Sequence, residues 1–173
     1  SSDWSSDVCS SDLALKATTD LEQAVRETDI SIIAVGTPFD GQEIDLRYVK
    51  QVSYEIGKAL TAKHSYHSVV VKSTVLPGTT ETVVLPILED ASGKKAGANF
   101  GVAMNPEFLR EGEAIEDFMH PDRIVLGGID ARSIGLLEEL YGVFENADKL
   151  TTNCTTAETI KYAANSLLAT MIS

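Results

Sequence analysis

At 173 residues, with 43% hydrophobic and 23% charged residues, the chain has the composition of a soluble globular protein long enough to bury a core. Its formal net charge of −12 argues against a nucleic-acid partner, and no apolar run approaches the roughly 20 residues needed to span a bilayer. Two cysteines, Cys9 and Cys154, supply neither a disulfide framework nor metal-ligand spacing, so no metal site is expected and a reducing, cytoplasmic setting fits best. Asn153-Cys154-Thr155 is formally a glycosylation sequon, read as chance because no secretion signal accompanies it.

Residues 1–13 repeat Ser-Ser-Asp three times around Trp4 and Val8-Cys9, with no period of 2 or 3.6 that would bury them. The segment resembles the translation of a concatenated sequencing adapter, which would make it foreign to the protein and the reading frame interrupted. A natural Ser/Asp-rich tail is the alternative.

From Ala14 onward short apolar runs alternate with helical patterns. Residues 29–35 read as a buried strand ending at Gly36-Thr37-Pro38. A helix is expected over 45–60, where Leu46, Val49, Val52, Ile56 and Leu60 share one face. Residues 68–71 form a second strand, ending in Lys72-Ser73-Thr74-Val75-Leu76-Pro77-Gly78, before a helix over about 79–89 interrupted by Pro86. Strands at 99–104 and 123–126, a helix over 133–144 and a short strand near Leu150 complete the pattern. A last helix starts after a cap at Thr155 or Thr156, has Glu158 in its first turn to complement the dipole, and runs to Ser173. Its apolar face comprises Ala157, Ile160, Ala163, Ala164, Leu167 and Leu168. Alternating strands and helices predict an α/β fold, a doubly wound, largely parallel sheet with helices on both faces.

Ligands of such sheets bind outside the carboxyl ends of the strands. That rule selects the loops 36–38, 73–78 and 105–112, where polar residues concentrate. The third, Asn105-Pro106-Glu107-Phe108-Leu109-Arg110-Glu111-Gly112, is the most informative, because two glutamates and an arginine at a strand end are costly to bury without a purpose. If a helix begins over 107–112, Glu107 and Glu111 share a face and either serve a site or complement the helix dipole. Lys161 and Asn165, four apart, share a helical face as a site or as a solvated polar stripe. Thr74 is either a ligand contact or a turn residue ahead of Pro77-Gly78.

These motifs, in order, resemble the nucleotide-sugar 6-dehydrogenases, the UDP-glucose and GDP-mannose dehydrogenase family. The resemblance rests on Thr18-Thr19-Asp20, Ala34-Val35-Gly36-Thr37-Pro38, Asp45-Leu46-Arg47-Tyr48-Val49, Lys72-Ser73-Thr74-Val75 with Pro77-Gly78-Thr79, the loop from Asn105 to Gly112 with Pro121-Asp122-Arg123, and Ala157-Glu158, Lys161-Tyr162-Ala163 and Asn165-Ser166. Together they cover about residues 14–173. The family's opening Gly-x-Gly-x-x-Gly turn has no counterpart, since residues 1–35 contain no glycine, and its catalytic cysteine lies in a Gly-rich motif downstream of the last helix. Cys154 precedes that helix and is expected to be a small residue at a strand-to-helix junction.

The resemblance implies an incomplete Rossmann-like domain over 14–153, lacking its first βαβ unit, and the start of a long central helix over 154–173 in the dimerisation region. It implies oxidation of a sugar C6 alcohol to a carboxylate with NAD, UDP-glucose being favoured over GDP-mannose as the sugar nucleotide, in a homodimer. Carried over residue by residue, Thr74, Glu107, Lys161 and Asn165 are catalytic. Val35, Gly36, Thr37, Pro38, Ser73, Thr74, Val75 and Glu111 contact NAD. Glu107, Phe108, Leu109, Arg110, Glu111, Lys161 and Asn165 border the sugar nucleotide. By itself the chain is expected to fold poorly and to be inactive. A non-catalytic binding or assembly module is the alternative from another class, and a β-hydroxyacid dehydrogenase a third. His64 and His67 are expected in an exposed loop before a strand, His120 in a turn, and Glu113, Glu116 and Asp117 on a solvated acidic face.

Overall fold

A computed structural model describes residues 16–39, 41, 43–110 and 112–172. The Ser/Asp-rich segment 1–13 and Glu111 therefore lie outside the described residues. Eleven elements follow one another: α1 (Leu21–Glu27), β1 (Ile30–Ile33), α2 (Arg47–Leu60), β2 (Ser68–Val71), α3 (Leu85–Ser92), β3 (Gly101–Met104), α4 (Ala114–Met119), β4 (Arg123–Gly128), α5 (Ala131–Leu140), β5 (Asp148–Thr152) and α6 (Cys154–Ile172). The sheet order is β1-β2-β3-β4-β5, parallel throughout except for the antiparallel pair β3–β4.

Alternation along β2 and β3 builds two cores. Val69 and Val71, with Val102 and Met104, face a layer containing Ile56 and Leu60 of α2, Leu88 of α3, and Cys154 and Ala157 of α6. Val70 and Ala103 point the other way, with Ile124 and Leu126, onto Leu137 of α5 and Tyr141. Central strands covered on both faces are apolar nearly throughout, which is why residues 69–71 of β2 are three successive buried valines.

The helix expected over 79–89 forms differently. A π-helical turn, Thr80–Val84, leads into α3, whose first turn holds Pro86. A proline cannot donate its nitrogen to the helix ladder, and the widened turn ahead of it accommodates the loss. The helical option over 107–112 is not taken up: residues 105–110 have no regular structure, and Gly112 has φ +86°, a left-handed conformation. Helix α4 begins two residues later. Helix α1, which the sequence pattern did not single out, is capped by Asp20, whose Oδ1 accepts from Gln23 N at 2.9 Å.

His67 corrects a second expectation. It is fully buried rather than in an exposed loop, with Nε2 2.8 Å from Ser31 Oγ and Nδ1 3.0 Å from the Thr28 carbonyl. Burial, with the nearby Lys63 cation, lowers its pKa to about 4. The unfolded chain takes up this proton near pH 6.5, so it binds more protons than the fold between about pH 6.5 and 4. The His67 contribution is complete above pH 6.5 and is lost as the pH falls towards 4, at up to about 1.4 kcal/mol per pH unit. Urea unfolding across this window is expected to show that slope in the parent chain, and His67→Gln to flatten it.

Candidate functional site

The carboxyl ends of β2, β3 and the start of β4, together with α6 and the turn after α5, enclose a cleft of about 980 Å³. Its walls include Lys72, Asn105 to Arg110, Arg123, Tyr141, Lys161 and Asn165. Six of the residues expected to border a substrate or act on it, Glu107, Phe108, Leu109, Arg110, Lys161 and Asn165, meet here although four come from the loop after β3 and two from α6, over 50 residues away.

Lys161 is the best-defined of them. Only 6% exposed, it is no member of a solvated stripe, and its Nζ lies 3.1 Å from Glu107 Oε1. The Phe108 ring is flanked by two cations, with Lys161 Nζ 5.4 Å and the Arg123 guanidinium carbon 4.7 Å from its centroid. Asn165, one turn along α6, is exposed at the cleft wall. Arg110 is committed elsewhere: its guanidinium bonds Asp117 at 2.7 Å and Glu113 at 2.7 Å, and its backbone N–H donates to Asp117 Oδ2. These bonds hold the Asp117 carboxyl below the usual range and make Asp117 a loop anchor, not part of a solvated acidic face. No cluster of three metal-ligating side chains occurs among the described residues.

Val35–Pro38 and Ser73–Val75 form a second group, beside this cleft but not lining it. Ser73 Oγ donates to the Val35 carbonyl at 2.6 Å and accepts from Val35 N at 2.9 Å, while Thr37 Oγ1 donates to the Thr74 carbonyl at 2.7 Å. The two loops are thereby fixed as one edge above β1 and β2. The Thr74 hydroxyl makes no hydrogen bond among the described residues.

Helix α6 is set by an interaction the sequence reading misplaced. Glu158 does not stand in solvent complementing a dipole. It is fully buried, and its carboxylate accepts from Gly78 N at 2.5 Å, Thr80 N at 2.8 Å and Thr80 Oγ1 at 2.6 Å. Gly78 turns the chain with φ +91°, presenting the free N–H groups of the following helical segment to that carboxylate. Asn153, not Thr155 or Thr156, caps α6, its Oδ1 accepting from Thr156 N at 2.7 Å. Thr155 instead donates to Glu81 Oε2 at 2.7 Å. The close approach of α6 to β4 needs Gly127, where a Cβ would sit 2.8 Å from Ala157 Cβ. Cys154 is fully buried at this junction, as expected, and burial pushes its thiol up to about 12, so it supplies no thiolate.

Loops at the carboxyl ends of parallel strands, a hydroxyl-rich edge beside β1 and β2, and a buried lysine paired with a partly exposed glutamate place the polar groups where a Rossmann-type domain binds its ligands. Residues 6–145 match the UDP-glucose/GDP-mannose dehydrogenase family, NAD binding domain. The chain belongs to that family. GDP-mannose 6-dehydrogenase of Pseudomonas syringae pv. tomato is 48% identical over 159 residues, 91% of this chain and 36% of that protein. UDP-glucose 6-dehydrogenase AglM of Haloferax volcanii is 43% identical over 164 residues, 92% of this chain and 38% of that protein. A ternary complex of GDP-mannose dehydrogenase from Pseudomonas aeruginosa superposes with a TM-score of 0.86 at 47% identity, over 90% of this chain and 36% of that one. UDP-glucose dehydrogenase from Pyrobaculum islandicum gives 0.81 at 46% identity, over 88% and 34%. The chain thus spans little more than a third of the length of these relatives.

NAD is the cofactor of this domain. The edge formed by Val35–Pro38 and Ser73–Val75 is cross-linked by hydrogen bonds, runs from buried Ser73 and Val75 to exposed Gly36 and Pro38, and carries one unengaged hydroxyl, Thr74, so its residues are compatible with a planar cofactor ring. The described residues ahead of β1 contain no glycine and so supply no turn for a pyrophosphate.

Sequence reasoning selected the loop that begins at Asn105 but gave Asn105 no role of its own, and it missed Tyr141, Arg123 and Lys72 as cleft residues and Glu158 as the clamp on α6. A lysine immediately after an all-apolar strand was the available signal for Lys72. Glu158→Ala is expected to lower the unfolding free energy by about 3 kcal/mol, because it strands three donors in the interior. Glu158→Gln, which keeps an acceptor, should cost less. Urea titration of both variants measures the difference.

Proposed function

We propose that the protein carrying this chain oxidises the C6 alcohol of a nucleotide sugar to the carboxylate with NAD. The observation that supports it most is the Lys161–Glu107 pair, a buried ammonium 3.1 Å from a carboxylate at the wall of a cleft of about 980 Å³. The oxidation removes two hydrides, for which two NAD⁺ would be the acceptors, and water supplies the second carboxylate oxygen. The chain's own residues orient the alcohol and handle charge at its oxygen.

A buried ammonium favours an oxyanion over a neutral alcohol, so Lys161 stabilises the alkoxide that forms as the hydroxyl proton leaves. Asn165 adds an amide donor on the same helical face. Glu107, already paired with Lys161, assists in water activation, and the unengaged Thr74 hydroxyl holds a water or the cofactor edge. Phe108 and Leu109 border the sugar, with Arg110 and Glu111 in the same loop. Cys154 takes no part, since it is buried and protonated.

For the sugar, UDP-glucose is the preferred substrate of this proposal, supported by Arg123 of the Pro121-Asp122-Arg123 run facing the cleft on the Phe108 ring. GDP-mannose is the second reading, favoured by relatives of that name at 48% identity. A cytoplasmic homodimer built around α6 completes the proposal. No helix among the described residues is long and apolar enough to cross a membrane.

NADH formation by the protein carrying this chain, with UDP-glucose and GDP-mannose in turn, tests the proposal. Turnover of one sugar nucleotide is expected. Lys161→Met should lower kcat by about 100-fold or more with little change in NAD affinity. Inactivity on both sugars, or an unchanged kcat in Lys161→Met, refutes the assignment.

A further inference from the structure

Three lysines with structural bonds can be compared within this one chain. Lys63 Nζ donates to the carbonyls of Val25, Arg26 and Thr28 at 3.0, 3.1 and 2.7 Å, closing the carboxyl end of α1. Lys94 Nζ donates to the Leu60 and Lys63 carbonyls and closes α2 in the same way. Both ammonium groups spend their donors on backbone oxygens. Lys72 does not. Its one short bond is to Asn105 Oδ1 at 2.9 Å, and its second contact, the Tyr141 hydroxyl, is at 3.4 Å. The ammonium also sits 5.8 Å from the Tyr141 ring centroid and lines the cleft. No carboxylate lies in ion-pair range of it among the described residues.

Asn105 is the hub of this cluster. Its Oδ1 accepts from Lys72 and from the Tyr141 hydroxyl, at 2.9 and 2.5 Å, and its Nδ2 donates to the Val125 carbonyl at 2.9 Å. Its backbone N–H donates to the Val71 carbonyl at 2.9 Å. One buried amide thus joins the ends of β2 and β3 to β4 and to the turn after α5. The residues that follow are Ser73-Thr74 on one side and Pro106-Glu107 on the other, so a single side-chain bond spans the two loops assigned to the chemistry.

We propose that Lys72 is a positioning residue for the oxidation: through Asn105 it holds the Thr74 and Glu107 loops in one register, and its charge is needed for that hold. The inference rests on the function proposed above. A neutral amine keeps a donor but gives up the charge-assisted part of the bond, roughly half its strength. The groups facing Lys72 are Asn105 and Glu107 after β3, Tyr141 after α5, and Lys161 from α6. Burial moves its pKa below the ordinary lysine value, with Glu107 opposing and Lys161 reinforcing that shift. Burial moves the Tyr141 hydroxyl pKa upward.

Lys72→Met and Lys72→Arg in the protein carrying this chain test the proposal. Lys72→Met is expected to lower kcat about tenfold or more, with KM for NAD within about twofold. Lys72→Arg, which keeps a cation that does not titrate in this range, should restore most of the rate and move the alkaline limb of the pH profile upward. In hydrogen exchange, peptides over 73–78 and 105–110 should exchange about tenfold faster in Lys72→Met and recover in Lys72→Arg, with α2 unchanged. Unchanged loop exchange, equal loosening of α2, an unmoved alkaline limb, or failure of arginine to restore rate or protection each overturns it. A parent protein inactive on both sugar nucleotides removes the proposed function, while the exchange data still decide whether Lys72 holds the two loops.

Discussion

One buried carboxylate ties α6 to the segment that follows β2. Glu158 occupies no solvent and receives three hydrogen bonds from Gly78 and Thr80, 80 and 78 residues earlier in the chain. An ionisable group tolerates such burial only when donors replace its hydration, and the open end of a helical segment offers N–H groups already aimed outward. The bond is therefore strong and directional at once. It fixes the helix bearing Lys161 to the segment that follows Thr74, and Gly127 lets the same helix lie close against β4.

The other buried charges are handled by the same rule with different partners. Lys63 and Lys94 donate to carbonyl oxygens at helix ends, which makes them parts of the scaffold. His67 stays neutral between a hydroxyl and a carbonyl. Around the cleft the matching is less complete: Lys161 meets one partly exposed carboxylate, Lys72 meets one amide, and Arg123 rests on an aromatic face. Cations left with spare donors beside a cavity of about 980 Å³ have the means to bind something carrying oxygen. That contrast separates site from scaffold without reference to any relative.

Local sequence signals placed most of the architecture. The apolar run at 68–71 was a strand with the bounds expected, the amphipathic face of α2 packed as its 3.6-residue period required, and the loops at strand ends did carry the polar residues. Errors arose where distant residues decided the outcome. Residues 107–110 were given a helical option on the spacing of two glutamates, but the segment is pinned in an irregular path by Arg110 bonding Asp117. His67 looked exposed because its neighbours His64 and Ser65 are, yet the strand that starts at Ser68 draws it inside. Lys72, Asn105 and Tyr141 are 33 and 36 residues apart in successive steps, and nothing in their local patterns announces that they meet.

The sequence by itself determined the periodicities, the turn at Pro77-Gly78, and the residue types available at each strand end, because these follow from steric and hydrophobic preferences a few residues long. Those are the properties that made the family resemblance legible from motifs alone. Only the tertiary structure decided which charges are buried, which are spare and which face one another, since a charge's environment is set by segments 30 to 80 residues away. Glu158 shows the difference: its identity was plain in the chain, but its work as the acceptor that seats α6 exists only once β2 and α6 have been brought together.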